Sequence, residues 1–462
     1  MRPVMKSNYI NSDDINSILD SKIKKMSFSG AAIDSREVKK NNIFFALKGK
    51  NTDGHKFLDM AFKNGARLAV VSKVQKNIKI PQIKVFNVHK AMIKLARKYR
   101  EDLEGKIIAI TGSIGKTGTK DALKKIIPKE YKVFCSRKSF NNNIGLPLEI
   151  LNMSKKNDFG IFELGMNHKN ELSRLTKILQ PDIACILNIA YVHGGNFKSI
   201  REIALAKSEI LNSSNNLKLV ILNHDDKYFS LMKNESKKNY PKPILSFGKT
   251  NNSDVQLKKI TKKKNNLQLS VSLKNKKIIN YNLNYTHEHL TSNSLAIISC
   301  LESLKLKPSY IKNYKKINLT SGRGNLLDLK VNNKKIEILD HSYNASPESY
   351  NATLRSFNNL NHRNKIYIIG EMFELGKKSH FYHKSLFRYV KSLSKKNCFF
   401  VGRQFKLIKE IKNNKEVRVF SDVNELINKF DYEICFNSII YIKGSNAVGL
   451  NRFINHIKNN IK

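Results

Sequence analysis

Cysteine is sparse: five residues in 462, at positions 135, 185, 300, 398 and 435. None forms a CxxC pair, which excludes a disulfide framework and a zinc ribbon. No window approaches about 18 uninterrupted apolar residues, so no membrane-spanning helix is expected. The opening segment MRPVMKSNYINSDD has no apolar signal core, so export is not expected and a reducing cytoplasm is the expected location. Internal repeats, long low-complexity linkers and arginine-rich arms are missing too. Acidic residues are few, 37 against 84 lysines and arginines, for a formal charge of +47. The lysines sit along the whole chain beside asparagine and isoleucine (KKKNN, IKNNK, HIKNNIK), with no basic block set among stacking aromatics. That pattern describes solvated faces rather than a polyanion groove, and no nucleic-acid partner is expected. A positive field would still help to attract nucleotide substrates.

What is present suits a globular protein. Apolar residues make up 40% of the chain, and its length corresponds to about three domains of roughly 150 residues. Short strand-like runs occupy 42–47 (NIFFAL) and 68–72 (LAVVS), followed by a helical stretch over 91–100. The pattern resets near Gly105. An apolar run at 106–110 (KIIAI) stops at a glycine-bearing turn, and 120–127 shows helical spacing. Buried-type strands follow at 159–162, 183–188 and 219–222, with helical segments between them, which predicts a mostly parallel sheet. Residues 250–285 alternate and are lysine-rich, as in a small antiparallel excursion. A helix over 292–304 leads to SGRG at 321–324, a hinge, after which strands near 336–339, 366–369, 399–401 and 439–442 restart the α/β rhythm. The expected organisation is α/β in three domains, 1–104, 105–320 and 321–462. The central one is a parallel-sheet P-loop domain and the last is Rossmann-like.

Residues 111–119 read TGSIGKTGT. Gly112 and Gly115 let the backbone approach phosphates, and Ser113 with successive N–H groups and the following helix start faces their charge. Lys116 can reach the β/γ-phosphates and the Thr117 hydroxyl can take Mg²⁺. The usual GxxxxGK[ST] spacing would put a glycine at 110, where this chain has isoleucine, so the loop is the shortened form TGxxGKT.

From this loop outward the chain resembles the Mur ligase family, whose ATP loop reads TGxxGKTxTK. FNNNIGLP (140–147) is similar to that family's NNxIGxP, ELGMNH (163–168) to ELGxNH, and FKSIREIALAKSEI (197–210) to the stretch ending in AKxEI. DHSYNASP (340–347) resembles DxSYNANP and GEMFELG (370–376) resembles GDMxELG. DSR at 34–36, GKNTDGH at 49–55 and KGS at 443–445 also fit. The segments span nearly the whole chain in family order. The two C-terminal ones are characteristic of the branch that adds D-alanyl-D-alanine to UDP-N-acetylmuramoyl-tripeptide, and the DNPR-like segment of the diaminopimelate-adding branch is missing.

The resemblance implies ATP-dependent amide formation through an acyl phosphate, with two Mg²⁺ ions, by a cytoplasmic monomer. It implies that Lys116 stabilises the γ-phosphoryl group and that Thr117 and Glu163 hold the first Mg²⁺. His193 would support a second ion. Lys207 would be carbamylated and become an anionic metal ligand, which needs a neutral amine favoured by nearby cations. Asn293 would lie on the adenine side, Arg323 at phosphate or ribose, and Asp340, Tyr343 and Asn344 along the nucleotide. Ser35, Arg36, Asp53 and Gly54 would hold the uridine diphosphate end, and Asn141 and Asn142 the sugar and peptide stem. Gly118, Glu371 and the NAVGL after KGS depart from the pattern. Two alternatives remain open at this stage: a related ligase adding a single amino acid, and a basic P-loop ATPase bound to nucleic acid.

Overall fold

The computed structural model describes the chain except for residues 1–8, 50–51, 138, 192–195, 239–240, 264–265, 285–289, 317–320, 332–333, 363, 394–396, 413–416 and 461–462. The described residues form three sheets in chain order. The first has four parallel strands in sequence order, Ala31–Ala32, Asn42–Phe45, Ala66–Val71 and Gln82–Lys84. The second has nine strands and is parallel over most of its width. Lys106–Thr111 lies between Phe159–Glu163 and Ile183–Ile186, with Val133–Cys135 at the edge beyond Phe159–Glu163. On the other side run Leu219–Asn223, Ile244–Gly248 and Val255–Lys263. Asn266–Ser272 and Ile278–Asn284 then pair antiparallel, which is the excursion expected over 250–285. The third sheet has six strands, with Ser438–Lys443 between Lys334–His341 and Lys365–Gly370.

The central strands are buried on both faces, which is why they read as unbroken apolar runs rather than alternating ones. Along Lys106–Thr111, Ile107 and Ala109 face the core shared with the N-terminal domain, whereas Ile108 and Ile110 face the helices Lys116–Ile126 and Thr291–Ser303. Helix Val88–Glu101 leaves the first sheet and seats itself on the second. Its buried residues Met92, Leu95 and Tyr99 join Leu146, Ile150 and Leu151 of helix Gly145–Asn152 in one core. Tyr99 donates its hydroxyl proton to the Met153 carbonyl at 2.8 Å. The Arg100 guanidinium, 5% exposed, donates to the carbonyls of Leu179 (2.7 Å), Gln180 (2.8 Å) and Leu103 (3.1 Å).

A second tie runs through Arg137. It donates from Nε to Glu149 Oε1 (2.7 Å) and from Nη1 to Glu37 Oε2 (2.6 Å), and it lies 4.0 Å over the Phe140 ring. The C-terminal domain meets the central one at the Tyr191 and Tyr382 rings, 5.6 Å apart, and where the Ser139 and Tyr343 hydroxyls approach to 3.1 Å. Among the described residues no helix is long and apolar enough to cross a membrane, and no disulfide joins the five cysteines.

The Arg100 seam carries a direct test. Arg100→Ala strands three carbonyls under the helix and costs about 2–4 kcal/mol, the scale of losing a buried charged donor. Calorimetry should show a thermal midpoint several degrees lower; an unchanged midpoint would contradict this account of the seam.

Candidate active site

The turn after Lys106–Thr111 is shaped by two glycines. Gly115 has φ +90°, and a Cβ there would lie 2.6 Å from Asn293 Nδ2. A Cβ on Gly112 would lie 3.0 Å from Leu187 Cβ. Helix Lys116–Ile126 therefore starts with its free N–H groups close to the strand ends, where an anion can approach the backbone. Asn188 fixes the turn from the neighbouring strand. Its Oδ1 accepts from Ile114 N and its Nδ2 donates to Ile114 O, both at 2.9 Å. Ser113 Oγ donates to Ala190 O at 3.0 Å and accepts from Ala190 N at 2.8 Å.

Glu163, 4% exposed at the end of its strand, is the acidic centre of the turn. Its Oε2 accepts from the Thr117 hydroxyl at 2.5 Å and its Oε1 from Asn141 Nδ2 at 2.9 Å. Lys116 Nζ donates to Gly112 O at 2.8 Å. Burial holds the Lys116 ammonium below the usual lysine range; Glu163 opposes that shift and Arg323 adds to it.

A cleft of about 1460 Å³ opens over this turn. Ser113, Gly115, Lys116, Thr117, Asn141, Asn142, Glu163 and Asn293 line it from the central domain, and Arg323, Tyr343 and Asn344 from the C-terminal domain. Arg323 stacks its guanidinium 4.2 Å over the Tyr343 ring and leaves Nε buried without a hydrogen-bond partner among the described residues. A buried unpaired guanidinium nitrogen facing a glycine turn fits an anionic ligand. Thr117, Glu163 and Asn141 offer oxygen atoms, the donor type Mg²⁺ takes beside phosphates and water. No cluster of three or more His, Cys, Asp or Glu able to hold a metal occurs among the described residues, so the protein supplies only part of such a shell.

The Asp340 and Asn142 side chains are engaged with nearby backbone. The Asp340 carboxylate accepts from Gly322 N (2.8 Å), Ser342 N (3.0 Å) and Ser342 Oγ (2.7 Å), and it does not line the cleft. It shapes the 321–324 hinge rather than facing it. Asn142 Oδ1 accepts from Ile144 and Gly145 N–H groups, starting the helix that follows, while its residue also lines the cleft. His193 lies outside the described residues. Lys207 is 1% exposed on helix Ile200–Ser208 and has no hydrogen-bond or ion-pair partner among the described residues. Burial drives its ammonium well below the usual range, and Lys116 pushes the same way.

Ser35, Arg36, Asp53 and Gly54 sit apart, packed against helix Leu58–Lys63 on the N-terminal domain. The Ser35 hydroxyl donates to Met60 Sδ at 3.1 Å. Arg36 is paired with Asp34 at 2.6 Å, with its side chain 81% exposed. Asp53 accepts from His55 N, and its carboxyl is lowered by the His55 bonds. A Cβ on Gly54 would meet the backbone of Ala46 and Leu47 at 2.9 Å.

Among the lining residues not predicted from sequence are Asn188 and Glu348; Arg137, outside the lining, was not predicted either. Lys443, part of the KGS segment, also lines the cleft. Burial and Arg323 lower its ammonium to about 7, and its Nζ donates to Asn344 O at 2.8 Å.

The loop geometry predicts the effect of one methyl group. Gly115→Ala forces a left-handed residue against Asn293, costing at least ~1–2 kcal/mol of loop geometry. ADP affinity measured by calorimetry should fall at least about tenfold; unaltered affinity would contradict the role given to the turn.

Comparison with known proteins agrees with this architecture. Three family models match the chain: Mur ligase family, catalytic domain, over residues 27–100; Mur ligase middle domain over 110–301; and Mur ligase, glutamate ligase domain, over 322–446. A UDP-N-acetylmuramoyl-tripeptide–D-alanyl-D-alanine ligase of Rickettsia prowazekii is 36% identical over 92% of this chain and 94% of its own length. One from Buchnera aphidicola is 31% identical over 91% and 90%. Among solved structures, MurF from Acinetobacter baumannii superposes with a TM-score of 0.85 at 25% identity, over 97% of this chain and 99% of that one. The MurF ligase of Thermotoga maritima in complex with ADP has the same fold, with a TM-score of 0.77 at 24% identity over 94% and 97%. The chain belongs to the Mur ligase family.

Proposed function

We propose that this chain joins D-alanyl-D-alanine to UDP-N-acetylmuramoyl-tripeptide, the joining its relatives are named for, at the expense of ATP. The observation that carries the reading is the cleft itself. A glycine turn with a half-buried lysine on one wall faces an arginine whose Nε has no partner among the described residues on the other, and the two walls belong to different domains.

A carboxylate is a poor electrophile because its leaving group is poor. Transfer of the γ-phosphoryl group to the tripeptide's terminal carboxylate makes an acyl phosphate, which the dipeptide amine attacks, and phosphate departs. The chain's contribution is positioning and charge neutralisation. Lys116 is held beside the turn by the Gly112 carbonyl and is poised to swing onto the phosphates. Arg323 brings a second fixed positive charge from the C-terminal domain. Thr117 and Glu163 would hold Mg²⁺, which when bound neutralises phosphate charge. Closure of the C-terminal domain over the cleft would keep water from the activated acid.

Lys207 supports a further part of the reading. A buried amine with no hydrogen-bond or ion-pair partner among the described residues and a cation nearby is shifted towards its neutral form, the form that takes up CO₂. Carbamylation would convert it into an anion able to serve a second metal ion together with His193. At the substrate's other end, the exposed Arg36 guanidinium suits a diphosphate, with Ser35, Asp53 and Gly54 shaping its surroundings.

The experiment is a phosphate-release assay with UDP-sugar tripeptide, ATP and D-Ala-D-Ala, each omitted in turn. Release should require all three; release independent of the dipeptide would defeat the assignment. Lys116→Ala should lower turnover by about 10²–10³-fold, as expected for loss of a charge-stabilising donor. For Lys207, the intact protein in ¹³C-bicarbonate should show a carbamate carbon signal. Lys207→Ala should lose both that signal and activity, and regain part of the activity with short carboxylic acids. Full activity in the variant would rule the modification out.

A further inference from the structure

Acids are rare in this chain, and most of those described are in ion pairs or accept backbone N–H groups. Glu348 does so with only one of its two oxygens. It stands in the first turn of helix Pro347–Asn358 and lines the cleft from the C-terminal domain. Its Oε1 accepts from the backbone N–H of Tyr191 in the central domain at 3.1 Å. Its Oε2 is buried with no hydrogen-bond partner among the described residues. Hydrogen bonding from the Ser346 side chain and from the Tyr191 and Glu348 backbone N–H groups favours the carboxylate form. Burial raises the carboxyl above the usual range. Lys378 lies 4.9 Å over the Tyr191 ring, and among the described residues no ion pair to Glu348 occurs.

In a protein with a charge of +47, a buried carboxylate oxygen in the cleft that no described residue pairs calls for a donor. Of the substrates in the proposed reaction, the dipeptide is the one whose reacting atom arrives as a primary ammonium. We propose that Glu348 is the subsite for that ammonium: with Oε1 anchored on Tyr191 N–H, Oε2 accepts a hydrogen bond from the incoming amine and aims it at the activated carboxyl. This rests on the ligase reading above. The anchor crosses between two domains, so the subsite is complete only when the C-terminal domain is seated against the central one.

Two measurements test it. Glu348→Gln keeps the shape and the acceptor for Tyr191 N–H but turns the second atom into a donor. The KM for D-Ala-D-Ala should rise at least about tenfold, the scale of a charged hydrogen bond, while the KM values for ATP and UDP-sugar tripeptide stay within about twofold. Glu348→Asp should recover part of the loss. An unchanged dipeptide KM, an equal rise in all three KM values, or a shift in Mg²⁺ requirement alone would overturn the assignment. The second measurement needs no variant. Propanoyl-D-alanine, which is D-Ala-D-Ala without its amino group, should bind the wild-type enzyme at least about tenfold more weakly than the dipeptide binds. Equal binding would overturn the subsite. Ligase activity that is absent altogether would instead defeat the underlying reading.

Discussion

A contact of 2.5 Å between the Thr117 hydroxyl and the Glu163 carboxylate holds the rest of the site in place. It joins the first turn of a helix to the end of the adjacent strand. It can form only because the glycines at 112 and 115 fold the intervening turn tightly enough. Asn141 then completes the Glu163 carboxylate from the segment that Arg137 ties to the N-terminal domain. Ser139, two residues away, reaches the Tyr343 hydroxyl of the C-terminal domain. All three domains thus converge on one short stretch beside one carboxylate. The crevice lies at the carboxyl ends of parallel strands, the place where open α/β sheets bind ligands.

Around this acid stand lysines that the protein neutralises only in part. Lys116 and Lys443 line the cleft, Lys116 half-buried and Lys443 buried, and Lys207 is buried outside the lining; each is pushed away from its charged form by burial and a neighbouring cation. Such an arrangement destabilises the empty protein, and anionic ligands relieve it. The large net charge has a different origin: most of it lies on exposed lysines along the surface and says little about the reaction.

Much of this was legible in the sequence. The strand at Lys106–Thr111 is readable because burial on both faces makes it an unbroken apolar run. The helix after it was expected over 120–127 but begins at Lys116. Its first turn, KTGTK, is polar because it faces the cleft, and the apolar spacing starts only at Ala122. The strand expected over 183–188 ends at Ile186, because Asn188 turns to bind the backbone of Ile114. Edge strands Gln82–Lys84 and Asn325–Val331 went unrecognised, being short or partly exposed. The nucleotide turn was recognisable because its residue types and spacing are local. Asn188, Arg137 and Glu348 were not, because each acts through a partner distant in sequence: Ile114, Glu37 and Tyr191. Asp340, expected along the nucleotide, has its carboxylate bonded to Gly322 and Ser342 beside the hinge.

The central claim is that the tripeptide's carboxylate is phosphorylated before the amine attacks. Tripeptide labelled with ¹⁸O in its terminal carboxylate tests this directly. A single turnover with ATP and D-Ala-D-Ala should deliver one ¹⁸O atom to each inorganic phosphate released, read by mass spectrometry. Phosphate carrying no label would contradict the account.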